Sequence, residues 1–194
     1  EGNSKLSMGW SLARVGSWAK SKRETLMVAA RKNQPDPQTD PAMHTCIQTD
    51  DLASLRTFLF NNTNINTRDE SGATPIHYAV QYERMEILQT LVQAGADINA
   101  QNNAGLTALY AAVLVGNNAI VAELLQKGAD PNKKLVVGTT CLHAASQMGN
   151  LVMVQQLVGA EAMLDATDPN GVTPMHAAAQ QGHLDVVKCL VEIG

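Results

Sequence analysis

The sequence predicts an all-α solenoid of stacked helix pairs, on three observations that share a period of 33 residues. Four threonines at this spacing each open a near-copy of one phrase, namely TPIHYAV, TALYAAV, TCLHAAS and TPMHAAA, at Thr74, Thr107, Thr140 and Thr173. Two further series keep the same phase: Asn62, Gly95, Gly128, Glu161 and Gly194, and then Asn66, Asn99, Asn132 and Asp165. Such a period is typical of arrays in which each repeat buries its apolar face against its neighbours.

The period divides residues 36–194 into five repeats, preceded by an N-terminal helical cap. We expect the cap at residues 1–35 and a divergent repeat 1 at 36–68. Repeats 2 to 5 follow at 69–101, 102–134, 135–167 and 168–194, the last of them incomplete. The prolines of the stretch QPDPQTDP, residues 34–41, separate the cap from the array.

Each repeat is predicted to hold two helices. The recurring threonine starts the first helix because its hydroxyl caps free N–H groups, and proline at the next position has no N–H to leave unpaired. Aliphatic residues at helical spacing, such as Val121, Leu124 and Leu125, form the buried stripe of the second helix. Glycine after that helix suits a left-handed cap, where Glu161 is expected to carry strain of about 1 kcal/mol. The connection to the next repeat projects as a β-hairpin-like finger.

Repeat 5 resembles the ankyrin-repeat consensus over most of its length. It carries, in order, Asp168, Gly171, Thr173, Pro174, Met175, His176, Ala177, Ala178, Gly182 and His183, and then Val186, Val187, Leu190 and Val191. The similarity extends in phase over residues 36–194. The resemblance implies an ankyrin-repeat solenoid that binds other proteins.

The histidines that recur in the array do not indicate a metal site or an active site. His44, His77, His143 and His176 share one position in their repeats, which Tyr110 occupies in repeat 3. Packed helices lie about 8 to 10 Å apart, too far for one zinc ion with ligands at about 2 Å to bridge. In ankyrin repeats this histidine is structural and bonds the neighbouring connection. No glycine-rich phosphate loop or nucleophile motif is present either. We predict no catalytic residue, no metal and no cofactor, and therefore no enzyme in this chain.

Composition favours a reducing compartment and argues against a membrane span. No apolar run approaches the roughly 20 residues that a span needs. The chain has three cysteines, and Cys46, Cys141 and Cys189 have neither metal-ligand nor redox spacing. We expect a cytoplasmic or nuclear protein. If the chain is part of a bacterial effector, we expect it to be delivered into a host cell.

Charge separates the first 33 residues from the rest. They hold seven basic and two acidic side chains, a net of +5, so the remaining residues carry −9 of the net −4. Both tryptophans, Trp10 and Trp18, lie in this basic segment. We prefer a cap that covers repeat 1, although residues 1–33 could instead contact a membrane surface or an acidic partner. The segment Glu24–Asn33 looks like an ankyrin first helix but is out of phase. The acidic array disfavours nucleic-acid binding.

In ankyrin arrays the usual partner contacts come from the finger tips and from the end of each first helix, which together line the concave side. The partner-binding residues carried over to this sequence are Tyr82, Leu106, Leu114, Val115, Leu135, Val136, Val137, Gln147 and Met148. In repeat 4 the finger reads KKLVVG, with aliphatic residues where the other fingers are polar. Two interpretations stay open for these side chains. Either they fold back and are buried, or they receive an apolar anchor while Lys133 and Lys134 guide an acidic flank.

The sequence therefore predicts an adaptor or scaffold module that binds a protein or peptide partner. The alternative is the targeting domain of a larger enzyme or bacterial effector, whose catalytic part would lie beyond Gly194.

Overall fold

The helices of the array come in consecutive pairs. The computed structural model describes residues 41–61 and 63–194, so the predicted cap at residues 1–35 lies outside the described residues. Within them the chain forms ten helices and no strand, which confirms the predicted fold class. The helices are α1 Pro41–Thr49, α2 Leu52–Phe60, α3 Pro75–Gln81, α4 Met85–Gln93, α5 Ala108–Val115, α6 Asn118–Gln126, α7 Cys141–Met148, α8 Leu151–Gly159, α9 Pro174–Gln181 and α10 Leu184–Ile193. The odd-numbered helices are the first helices of the repeats and the even-numbered ones are the second.

The threonine series starts the first helices, as predicted. Thr74, Thr107, Thr140 and Thr173 are the N-cap residues of α3, α5, α7 and α9. In α5 the hydroxyl of Thr107 accepts a hydrogen bond from the Tyr110 N–H at 3.1 Å. The Thr173 hydroxyl accepts in the same way from the His176 N–H at 3.3 Å. These two hydroxyls thus satisfy backbone donors that a helix start otherwise leaves unpaired.

The core lies where the first helices pack on one another and on the second helices. Four equivalent alanines, Ala79, Ala112, Ala145 and Ala178, are completely buried in the first helices. Their small side chains let neighbouring first helices approach closely. The second helices add the large aliphatic part of the core, with Ile87, Leu88, Leu91, Ile120, Leu124, Met153 and Leu157 among the fully buried side chains.

Left-handed residues end the helices. After the second helices, Gly95 and Gly128 have φ of 90° and 88°, and Glu161 takes the same conformation at 63°. The predicted strain at Glu161 therefore rests on an observed left-handed residue with a side chain.

The asparagine series links neighbouring repeats at the loops that follow the second helices. The side-chain oxygen of Asn66 accepts from the Asp97 N–H at 2.9 Å. Asn99 and Asn132 repeat this bond to the N–H groups of Asp130 and Met163, both at 2.8 Å. Each asparagine side chain thus links the loop after one second helix to the loop after the next by a hydrogen bond.

No helix within residues 41–194 has the length and apolar character needed to cross a membrane.

Candidate functional site

The fingers of neighbouring repeats stack through their backbones. The Asn103 N–H donates to the Ser71 carbonyl at 2.9 Å, and the Val136 N–H donates to the Ala104 carbonyl at 3.0 Å. The equivalent residue of the next finger is Pro169, which has no N–H to donate. The backbone series that joins fingers 2, 3 and 4 therefore cannot continue to finger 5.

Side chains at the base of the fingers make a second series of bonds between repeats. Arg68 donates to the Gln101 carbonyl at 2.8 Å, and Gln101 donates through Nε2 to the Lys134 carbonyl at 3.0 Å. Lys134 continues the series with a 3.1 Å bond from Nζ to the Thr167 carbonyl. Every member of the series holds the next finger in place.

The finger of repeat 4 shows which of its aliphatic residues are accessible. Val136 is 77 % exposed and Val137 is 51 % exposed, whereas Leu135 is 8 % exposed. Residues equivalent to Leu135 turn their side chains inward, since Asp69 and Asn102 accept hydrogen bonds from N–H groups of their own fingers. Leu135 fills the same inward position and packs there.

Of the predicted partner-binding residues, Leu106 and Leu135 are therefore buried, and for Leu135 the interpretation in which the side chain folds back is the one observed. Leu106 is also 8 % exposed. Its N–H donates to Asn102 at 2.9 Å, and its carbonyl is bonded by His77, so the residue closes its finger against repeat 2. Val136 and Val137 remain as the apolar tip of finger 4.

The ends of the first helices bring further apolar side chains to the surface. Met148, the last residue of α7, is 43 % exposed, and Leu114 and Val115 at the end of α5 are half-buried. A β-carbon on Gly116 would lie 4.0 Å from Cε of Met148, so the methionine reaches toward the preceding repeat. We call Leu114, Val115, Val136, Val137 and Met148 the apolar patch.

Two predicted contact residues take part in the fold as well. The ring of Tyr82 is half-buried, lies 6.4 Å from that of Tyr78, and is 6.0 Å from His44 between ring centroids. Burial raises the pKa of Tyr82. Gln147 is half-buried, and its carbonyl is bonded by Nε2 of His183 at 3.1 Å.

The two lysines of finger 4 are engaged locally. Lys134 is tied to Thr167, as described above, and Lys133 lies 3.9 Å from the carboxylate of Asp130. Nothing in these contacts supports the expectation that the pair guides an acidic flank of a partner.

The recurring histidines hold finger to helix. In His77, Nδ1 accepts from the Thr74 N–H at 3.1 Å and Nε2 bonds the Leu106 carbonyl at 2.9 Å. His143 has the same arrangement, with bonds of 3.2 Å from the Thr140 N–H and 3.0 Å to Val172. These partners fix the neutral tautomer with hydrogen on Nε2. The structural interpretation of these two histidines is confirmed.

Two other positions of the histidine series, in repeats 3 and 1, differ. Tyr110 takes the histidine position in repeat 3 and bonds the hydroxyl of Thr139 at 3.2 Å, while burial raises its pKa to about 12. His44 packs edge-on against Tyr78 with centroids 4.2 Å apart, and its buried Nε2 has no hydrogen-bond partner. No group of side chains in the described residues could hold a metal ion.

Sequence reasoning missed a set of turn residues at the junction of the two helices. Gly116, Gly149 and Gly182 have φ of 84°, 68° and 77°, and Asp50 and Glu83 adopt the same conformation at 63° and 57°. A side chain in this region costs about 1–2 kcal/mol. The sequence contains a signal for these turns, since the five positions are 33 residues apart and three of them are glycine.

Comparison with known protein families identifies the family of the chain. A family model described as ankyrin repeats (3 copies) matches residues 26–135 and again residues 133–194. None of the curated proteins compared with the chain matches it. Ankyrin repeats are in general protein–protein interaction modules, and domains built from them are typically non-catalytic. From the repeat period, the finger contacts and a match over most of its length, the chain belongs to the ankyrin-repeat family.

Proposed function

We propose that the array is an adaptor or scaffold module that binds a protein partner through its finger tips and first-helix ends. The observation that carries the proposal is the exposure of Val136 and Val137, at 77 % and 51 %, on a finger tip whose counterparts are polar or small. A solvent-exposed aliphatic pair adds nothing to the packing of the repeats. Exposed apolar side chains grouped on one face are typical of binding sites.

The first-helix ends supply the second half of the proposed surface. Met148 is 43 % exposed at the end of α7, and Leu114 and Val115 are partly accessible at the end of α5. The remaining surface there carries amides such as Gln147 rather than charges. Apolar anchors surrounded by uncharged polar groups are what the centre of a protein–protein interface requires.

The test is a double variant, Val136→Asp with Met148→Asp. We choose Met148 over Leu114 because Leu114 is half-buried and an aspartate there would strain the helix packing. The matched control is Val152→Asp on α8, since Val152 is 51 % exposed, as Val137 is, but lies on a second helix. Circular dichroism and thermal unfolding establish that all three proteins are folded.

The full chain is used as bait to capture proteins from a lysate of its source organism. Quantitative mass spectrometry then identifies the captured proteins. We expect at least one protein to be captured by the wild type and by Val152→Asp but not by the double variant. Titration of that purified protein should show binding weakened at least about tenfold, as for a loss of more than 1.4 kcal/mol. Identical sets of captured proteins for wild type and double variant would contradict the proposal.

A further inference from the structure

The face that carries the apolar patch has its charge at one end. In repeats 3 to 5 the finger-tip positions, 103–104, 136–137 and 169–170, and the helix-end positions, 114–115, 147–148 and 180–181, hold no charged residue. In repeat 2 the finger tip carries Glu70, and the turn after the first helix carries Glu83. Both glutamates are exposed. The face therefore runs from an acidic end to an apolar middle.

Glu83 occupies a position where a side chain is costly to hold. Its φ is 57°, whereas repeats 3 to 5 have glycine at this position. The carboxylate is oriented by a 2.8 Å hydrogen bond from the side-chain nitrogen of Asn117. Asn117 follows Val115 and Gly116 directly, so this bond places the carboxylate beside the apolar patch.

Neither carboxylate is neutralised by a cation of the array. No ion pair within residues 41–61 and 63–194 includes Glu70 or Glu83, whereas the acid at the equivalent turn of repeat 1, Asp50, lies 3.7 Å from Arg84. The nearby base of finger 2 has one guanidinium, that of Arg68, and it is bound to the Gln101 carbonyl. Exposed, unpaired carboxylates next to an apolar surface are complementary to a basic group with an apolar neighbour.

We propose that the occupant of this face is an extended protein segment in which an apolar side chain binds at the tip of finger 4 and a lysine or arginine binds Glu83, with Glu70 adding negative charge to the same repeat. The inference rests on the proposed function, since it assigns the chemistry of the partner of that same surface. Two steps between packed helices, at about 8–10 Å each, separate repeat 2 from repeat 4. At about 3.3 Å per residue, an extended chain covers that distance with about five or six residues, which sets the spacing of the two side chains.

The experiment is a selection from a random-peptide display library on the full 194-residue chain. The targets are the wild type, a Glu70→Gln, Glu83→Gln double variant, and the Val136→Asp, Met148→Asp double variant. Glutamine keeps the size of each side chain and the hydrogen bond of Glu83 to Asn117 while removing the charge. Glu83→Gly is a further variant that removes the carboxylate and relieves the left-handed strain, so poor folding cannot explain its result.

We expect the wild type to enrich peptides with a large apolar residue and a lysine or arginine about five or six positions away. The glutamine variant should enrich the same apolar residue without the basic preference, and the aspartate variant should enrich neither. For the best wild-type peptide, the Glu70→Gln, Glu83→Gln double variant should weaken binding about two- to fivefold, the size of an exposed ion pair. Raising the salt concentration should remove this difference.

The outcomes separate the two proposals. Enriched peptides without a basic residue, or a basic preference that persists in the glutamine variant, would overturn the inference and leave the proposed function standing. Peptides that bind the aspartate variant as well as the wild type would contradict both, as would a wild type that enriches no peptide. Light scattering that shows a dimer, lost in Val136→Asp, would identify a second copy as the occupant and would also overturn the inference.

Discussion

At the scale of single residues, the histidines explain how one side chain can serve helix and finger together. Nδ1 of His77 receives the Thr74 N–H and Nε2 reaches the Leu106 carbonyl of the next repeat. Both nitrogens are used only while the ring is neutral, because protonation of Nδ1 removes the acceptor. Burial, the largest effect, lowers the pKa of His77 and of His143.

Stability should therefore fall as the solution is acidified through the range of histidine titration. In the unfolded chain these rings titrate near pH 6.5, whereas in the folded array they hold their proton less tightly. The unfolded state then binds more protons, so the stability contributed by the neutral rings is complete above about pH 6.5 and is lost below it. We expect the free energy of unfolding in urea to be lower at pH 5.5 than at pH 7.5.

The control for this pH dependence is the double variant His77→Gln, His143→Gln. It should be less stable than the wild type at pH 7.5 and should show a smaller decrease on going to pH 5.5. A decrease equal to that of the wild type would show that other groups titrate. The carboxyls of Asp69 and Asp168, whose pKa values are lowered, act in a separate window because their stabilising charge is lost only below about pH 4.

Residue-level reasoning from the sequence found the tip of finger 4 but could not rank its three aliphatic residues. Val136 and Val137 are exposed and Leu135 is buried, because the first residue of each finger points inward. The inward direction could have been read from Asp69, Asn102 and Asp168, whose short polar side chains suit bonding to their own backbone. Burial of Leu106 depends on the neighbouring finger, which no single repeat reveals.

At the scale of elements, the fingers show why their glycines cannot be replaced equally. Gly105 and Gly171 both have φ of 76°. A β-carbon on Gly105 would lie 2.9 Å from the backbone nitrogen of Val136, whereas one on Gly171 would have nothing within 4 Å. The two positions share the same backbone conformation and differ in the closeness of the next finger.

Gly105→Ala should therefore cost more than Gly171→Ala. Both variants place alanine in the left-handed conformation, which costs about 1–2 kcal/mol. Gly105→Ala must also separate fingers 3 and 4. We expect a further loss of about 1 kcal/mol or more for Gly105→Ala, measured as the free energy of unfolding in urea. Equal losses would mean that the fingers move apart at no cost.

The starts of the first helices in repeats 2 to 5 could be predicted, because the threonine phrase marks them directly. The turns between the two helices could not be predicted with the same security. Glycine in repeats 3 to 5 suggests a left-handed turn, but Asp50 and Glu83 in the same position of repeats 1 and 2 conceal it. The packed array imposes the conformation on them despite its local cost.

At the scale of the whole molecule, stability in a linear array depends on contacts between neighbouring repeats. The second helices of repeats 3 and 4 carry fully buried side chains, among them Leu124 and Leu157. In repeat 5, Leu184, Val191 and Ile193 are 63 %, 60 % and 50 % exposed. Repeat 5 should therefore open more readily than repeats 3 and 4.

Two cysteines can report the difference in burial between repeats 4 and 5 without added labels. Cys141 starts α7 in repeat 4, is completely buried, and has its pKa raised by burial to about 12, whereas Cys189 in α10 is half-buried. Brief alkylation at pH 8, read by mass spectrometry, should modify Cys189 at least about tenfold faster than Cys141. In urea the two rates should become similar. Equal rates in buffer would show that Cys141 is as accessible as Cys189, which would contradict its burial in repeat 4.

Because of Pro169, the fingers at the two ends of the array are joined by different kinds of hydrogen bond. Fingers 2, 3 and 4 are joined by backbone bonds from Asn103 and Val136, which must be sheared together if the chain is pulled. At the tip of finger 5 the proline leaves no such bond, and the finger is held at its base by the side chains of Lys134 and His143. A force applied along the finger tips would therefore load backbone hydrogen bonds between fingers 2, 3 and 4, but only side-chain hydrogen bonds between fingers 4 and 5.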